Sequence, residues 1–130
     1  MRFSSKAEYG LKAMTNLAAY YPGQKSSTDL AQEEEIPSKY LERLMGKLRK
    51  NALVTSTKGK GGGYALSRNP QAIAIGEIIE ALEGPIAPMR CVGAFCAKRK
   101  NCPSSKVWDE LGLQIRVTLY RMKLSELAKK

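Results

Sequence analysis

The three cysteines of this 130-residue chain, Cys91, Cys96 and Cys102, fall within twelve residues of one another. Thiolates bind iron–sulfur clusters and structural zinc, and they are also redox-active nucleophiles. An odd cysteine count does not read as a disulfide framework. The residues alone leave several uses open: free thiols, a thiol redox switch, or a metal or cluster site. The sequence has no histidine. That removes His-based acid–base catalysis, serine-protease-like triads and most catalytic zinc sites. No nucleophile motif and no grouping of carboxylates stands in their place. The chain therefore does not read as an enzyme, and no small-molecule substrate is implied.

A second chemistry is electrostatic. The chain carries 22 Lys and Arg against 12 Asp and Glu, a formal charge of +10. Such an excess either only keeps the chain soluble or favours a polyanionic partner, nucleic acid being the commonest, and the helical pattern below makes that double-stranded DNA. The charge is spread along the chain, so no basic tail accounts for it. Apolar residues make up 43% and charged residues 26%, ordinary for a globular chain. No apolar run approaches the roughly 20 residues that span a bilayer. No apolar signal region follows Met1-Arg2-Phe3-Ser4-Ser5-Lys6. A cytoplasmic location without membrane contact is the expectation.

The elements that must position these groups are mostly helical. Ser5 and Glu8 have the spacing of a capping box and predict a helix with Ala7, Leu11, Met14, Leu17, Ala18 and Tyr21 on one face. Tyr21-Pro22-Gly23 ends it. Ser26-Ser27-Thr28 offers caps for a short helix from Asp29 to about Glu34, with Leu30 and Ala31 inward. Pro37 suits the first turn of a third helix reaching about Lys50, whose inner stripe is Leu41, Leu44, Met45 and Leu48. Its outer face carries Ser38, Lys39, Glu42, Arg43, Lys47 and Lys50. Two short helices joined by a tight turn, the second polar and basic outside, describe a helix-turn-helix.

Leu53–Thr57 and Tyr64–Ser67 read as strands. Between them Lys58-Gly59-Lys60-Gly61-Gly62-Gly63 predicts a tight hairpin with two lysines at its tip. This is the wing of a winged helix, with Lys58 and Lys60 placed for phosphates or a minor groove. The glycines do not match a nucleotide-binding loop, which needs strand-then-helix context. Pro70 breaks the chain. A helix over Ile75–Leu82 buries Ile75, Ile78, Ile79 and Leu82, and Glu83-Gly84-Pro85 stops it. After the cysteines, Pro103-Ser104-Ser105 opens a long helix to about Met122 or beyond. Trp108, Leu111, Ile115, Thr118 and Met122 form a heptad-like seam, widened by Leu119, which predicts pairing with a second chain.

Several stretches now align with a known pattern: Met1–Leu11; Tyr40-Leu41-Glu42-Arg43-Leu44 followed by Leu48–Val54; Lys58–Tyr64; Ile75–Glu80; Glu83-Gly84-Pro85; and the cysteine segment. Together they resemble, over essentially the whole chain, the Rrf-two family of winged-helix transcriptional regulators, the IscR- and NsrR-like iron–sulfur regulators. The resemblance implies a mainly α fold: a winged helix-turn-helix with a two-stranded wing and a long C-terminal dimerisation helix. It divides the chain into a DNA-binding region (1–83), a cluster-binding loop (84–103) and the dimerisation helix (104–130) within one structural domain.

The resemblance further implies a homodimeric, operator-binding regulator, with repressor the expected sense and activation left open. Cys91, Cys96 and Cys102 would ligate an iron–sulfur cluster, two-iron (2Fe–2S) favoured over four-iron (4Fe–4S). Lys98, Arg99 and Lys100 would offset part of its negative charge. This chain departs from the IscR pattern in its first cysteine gap and at Ser105, where that pattern places a histidine ligand; Ser105 reads better as a helix cap. NsrR-like members take a carboxylate near the start of the first helix of the opposite subunit, and the matching position is Glu8. Ligation and the capping box compete for that carboxylate. Ser38, Lys39, Glu42, Arg43, Lys47, Lys58 and Lys60 are the DNA contacts expected, with Glu42 rejecting wrong bases. The alternative is a regulator of the same family without a cluster, sensing through thiols, another metal or a partner protein.

Overall fold

The computed structural model describes residues 3–87 and 103–128. Its elements are α1 (Ser5–Tyr20), α2 (Ser27–Glu34), α3 (Ser38–Lys50), β1 (Val54–Thr57), β2 (Gly63–Leu66), a 3-10 turn (Pro70–Ala72), α4 (Ile75–Glu83), α5 (Ser105–Arg121) and α6 (Leu124–Leu127). The fold is mainly helical, with a two-stranded antiparallel sheet pairing Val54 with Leu66 and Thr57 with Gly63. This is the winged helix-turn-helix that the sequence predicts.

The apolar periodicities meet in one core. Met14 and Leu17 of α1, Leu30 of α2, Leu41, Met45 and Leu48 of α3, and Ile78 of α4 have no exposed surface. Burying such side chains stabilises by about 1.5–3 kcal/mol each before chain entropy is subtracted. Helix α2 starts at Ser27, two residues before the predicted Asp29, because Ser26 Oγ accepts the Asp29 N–H at 3.1 Å. Pro37 is the residue before α3 rather than part of its first turn.

The wing is pinned at its base. Lys25 and Tyr64 exchange both backbone hydrogen bonds, at 2.9 and 2.7 Å, so the segment before α2 pairs with β2. A Cβ on Gly63 would stand 2.0 Å from the Lys25 carbonyl oxygen, and glycine permits that approach.

The C-terminal helix is not continuous. It ends at Arg121, and Lys123 forms a bridge with Ala74. Ile75 N–H donates to Met122 O, and Leu124 N–H to Ile73 O, both at 2.9 Å. Those bonds replace the next helical turn and drive Leu124 fully into the core, so α6 is a separate turn.

Candidate nucleic-acid interface and sensing segment

Helix α3 separates its two faces cleanly. Leu41, Leu44, Met45 and Leu48 are buried, while Ser38, Lys39, Glu42, Arg43 and Lys47 are exposed. Positions 38, 39, 42, 43 and 46 share the outward side at helical spacing. Gly46 lies among them with no neighbouring atom within 4 Å of where a Cβ would be. The middle of this face is therefore bare backbone, where another molecule could come close. Periodicity alone did not single out Gly46, since an absent side chain leaves no charge or apolar signal. Lys58 and Lys60 stand exposed on the wing.

The sequence also gave no signal for a groove of about 330 Å3 between α2 and the wing, lined by Ser26, Ser27, Arg49, Ser56, Thr57 and Lys58 among others. Arg49 Nη1 donates to Ser56 Oγ at 3.2 Å, which ties the end of α3 to β1. Hydroxyls and cations converge there only through the tertiary fold.

The start of α1 corrects one sequence expectation. The cap is Ser4, not Ser5: Ser4 Oγ accepts the Lys6 N–H at 3.2 Å. Glu8 is then one position too far along to close a capping box. Glu83, from the far end of α4, takes that part. Its carboxylate accepts the Ser4 N–H at 3.2 Å and also the Ser4 hydroxyl. Glu8 is released. Its side chain is 66% exposed, and its ion pair is with Lys12 at 4.0 Å. It borders a mostly apolar cavity of about 370 Å3, lined by Phe3, Ala7, Leu11, Ile75, Ile79 and Leu119 among others.

The same helix start touches the outward-facing helix. Tyr40 OH lies 2.9 Å from Ser5 Oγ, and its ring meets Tyr9 edge-on at 5.6 Å. Tyr40 is half-buried in this contact.

Cys91, Cys96 and Cys102, with Lys98, Arg99 and Lys100, lie outside the described residues. Among the described residues no group of three potential metal ligands occurs. Ser105 is the first residue of α5 and is buried, while Ser104 occupies the cap position, so Ser105 is not the cap. The predicted seam is split by the fold. Ile115, Leu119 and Met122 pack against the chain's own core, whereas Leu111 is 42% exposed. The reason is α4: Gly76 leaves a notch that the Tyr120 ring fills, holding α5 against its own domain. Val107, Leu113 and Val117 remain exposed as well.

Tyr120 is the described group whose titration moves most. Burial and the Glu80 carboxylate raise it to about 12. Its hydroxyl donates to Glu80 Oε1, and Arg116 Nη1 donates to Glu80 Oε2 at 2.8 Å.

A helix-turn-helix with a two-lysine wing is thus followed by a segment holding every cysteine of the chain. The family model for Rrf2, described as iron-dependent transcriptional regulators, matches residues 3–130. The chain belongs to the Rrf2 family. It is 36% identical to the transcriptional regulator IscR of Yersinia pseudotuberculosis, over 98% of this chain and 79% of that protein. Among solved structures it resembles CymR, the global cysteine regulator of B. subtilis, with a TM-score of 0.80 and 35% identity, over 98% of this chain and 96% of that one. It also resembles IscR of T. potens, with a TM-score of 0.75 and 32% identity, over 98% and 85%. The chain is accordingly a transcriptional regulator. The relatives named above are transcriptional regulators. Among the described residues no helix is long and apolar enough to cross a membrane.

Proposed function

We propose that this regulator binds its operator as a homodimer and that an iron–sulfur cluster held by Cys91, Cys96 and Cys102 controls the binding. The donor set fits: thiolates are the ordinary cluster ligands, and Glu8 is an exposed carboxylate with no capping duty. Glu8 of the opposite subunit would be the fourth ligand, and a two-iron cluster is favoured. When bound, the cluster supplies a centre sensitive to redox state and oxygen, most open where oxygen rather than sulfur ligates. Ser38, Lys39, Glu42 and Arg43 face the major groove, Lys47 a phosphate, and Lys58 and Lys60 hold the wing on the backbone. Val107, Leu111 and Val117 of α5 offer apolar surface to a second chain. In the domain division, 1–83 reads DNA, 84–103 senses, and α5 carries most of the pairing in 104–130.

The observation that carries this reading is the clean outward face of α3 beside a basic wing, in a chain whose cysteines all lie in one short segment. The test is anaerobic purification, an absorption spectrum, and operator affinity before and after cluster removal. A coloured protein whose affinity or operator preference changes on removal supports it. Equal footprints for the two forms count against it.

The likeness to CymR favours one second reading. In that reading this chain senses without a cluster, through the thiols, another metal or a partner protein. A colourless anaerobic preparation whose DNA binding responds to thiol oxidation selects that reading.

A further inference from the structure

Helix α4 holds the chain on both sides of itself through two carboxylates one turn apart. Glu80 Oε2 accepts the Ile86 N–H at 3.2 Å and Arg116 Nη1 at 2.8 Å, and Oε1 accepts the Tyr120 hydroxyl. Ile86 is buried and precedes Cys91 by five residues. Three positions earlier, on the same face, Glu77 accepts Arg68 Nη2 at 2.5 Å and the Ala74 N–H at 2.8 Å.

Arg68 lies just past β2, and its Nε also donates to Ala72 O at 3.1 Å. Its neighbour Ser67 closes the base of the wing. The Ser67 N–H donates to Leu53 O at 3.1 Å and its hydroxyl to Ala52 O at 2.6 Å. Ala52 is held there at a φ of 58°, a left-handed conformation unfavourable for a residue with a Cβ. Both carboxylates border one cavity of about 210 Å3, together with Asn51, Leu53 and Tyr120.

We infer that Glu80 and Glu77 are positioning residues through which the segment leaving Ile86 sets the base of the wing. This deepens, and rests on, the reading of 91–102 as the sensing segment. The carboxylate of Glu80 has three donors from two elements, so a shift at Ile86 must either break a bond or move α4. Helix α4 is rigid over one turn. Arg68 grips Glu77 through Nη2 and reaches Ala52 O through Nη1 at 3.5 Å, so it carries that movement to Ala52 and, through Ala52, to Ser67. Contiguity alone does not establish coupling, and a thermodynamic cycle does.

The experiment uses the full chain in cluster-loaded and stripped forms, with fluorescence anisotropy on the operator. Glu80→Gln and Glu77→Gln keep the side-chain shape and weaken the charge-assisted bonds. Each should bring the affinity ratio of the two forms at least about fivefold closer to one. Stripped-form melting should fall only modestly, because the bonds are weakened rather than removed, and non-specific DNA affinity should barely move. Combining Glu80→Gln with Arg68→Lys should be no worse than either alone. Unchanged ratios, or a strictly additive cycle, overturn the inference.

If the wild type itself shows no difference between forms, the cluster-sensing reading fails instead. Amide exchange on the stripped protein then decides the relay. Glu80→Gln should speed exchange at Ile86 and also at Leu53 and Ser67. Faster exchange confined to Ile86 overturns it.

Discussion

Replacing Glu8 by alanine separates the two roles that compete for its carboxylate. If Glu8 closed a capping box, its loss would resemble other capping losses, about 1 kcal/mol. The structure gives that duty to Ser4 and Glu83. What remains for Glu8 is an exposed i, i+4 pair with Lys12 at 4.0 Å, worth about 0.3–0.5 kcal/mol. Its place in the first turn adds a few tenths through the helix dipole, roughly offset by alanine's better helix propensity. Glu8→Ala should therefore change the stability of the stripped protein by less than about 0.5 kcal/mol. Ser4→Ala should cost about 1 kcal/mol, a fall of about 3–5 °C in melting temperature at this chain length.

The assay is thermal melting of both variants without cluster, followed by anaerobic loading and the decay of the visible spectrum in air. A ligand role predicts that Glu8→Ala shortens cluster lifetime at least roughly tenfold at unchanged apo stability, while Ser4→Ala does the reverse. Equal melting losses for the two variants would refute the assignment of the cap. An unaltered spectrum and lifetime in Glu8→Ala would end the ligand role.

Further outcomes follow from other parts of the molecule. Leu124→Ala removes a fully buried side chain that anchors α6, and urea unfolding should show a loss of about 2–5 kcal/mol. Gly76→Ala places a methyl 2.2 Å from the Tyr120 ring and should cost about 1–3 kcal/mol while displacing α5, read by unfolding and by tryptophan fluorescence of Trp108. The double change Lys58→Ala and Lys60→Ala should weaken binding to all DNA sequences alike and lower the salt slope of the binding constant by about 2, measured by a salt titration. Tyr120 keeps its proton in the folded state up to about 12, against 10.0 ordinarily. Its raised value contributes stability that is whole below pH 10 and is lost as pH rises towards 12. Tyr120→Phe should shrink that part of the alkaline loss, and equal alkaline slopes in the two proteins would refute it.

The sequence by itself determined helices α1 to α5, the hairpin, and which face of α3 looks outward. Those features depend on periodicity, caps and glycines, which act over a few residues. It also marked the cysteine segment, because thiols in a chain without histidine admit few chemistries. Long-range contacts decided the rest. Ser5 and Glu8 have the spacing of a capping box, yet Ser4 became the cap because Glu83, seventy-nine residues on, binds both its N–H and its hydroxyl. Leu111 and Ile115 belong to one seam in sequence but not in space, because Tyr120 seated on Gly76 fixes the rotation of α5. The C-terminal helix broke after Arg121 because residues 73–75 offered backbone partners that no local pattern records. Local spacing names the groups that can act. Only packing decides which of them are already engaged, and here it left Glu8 without a capping role.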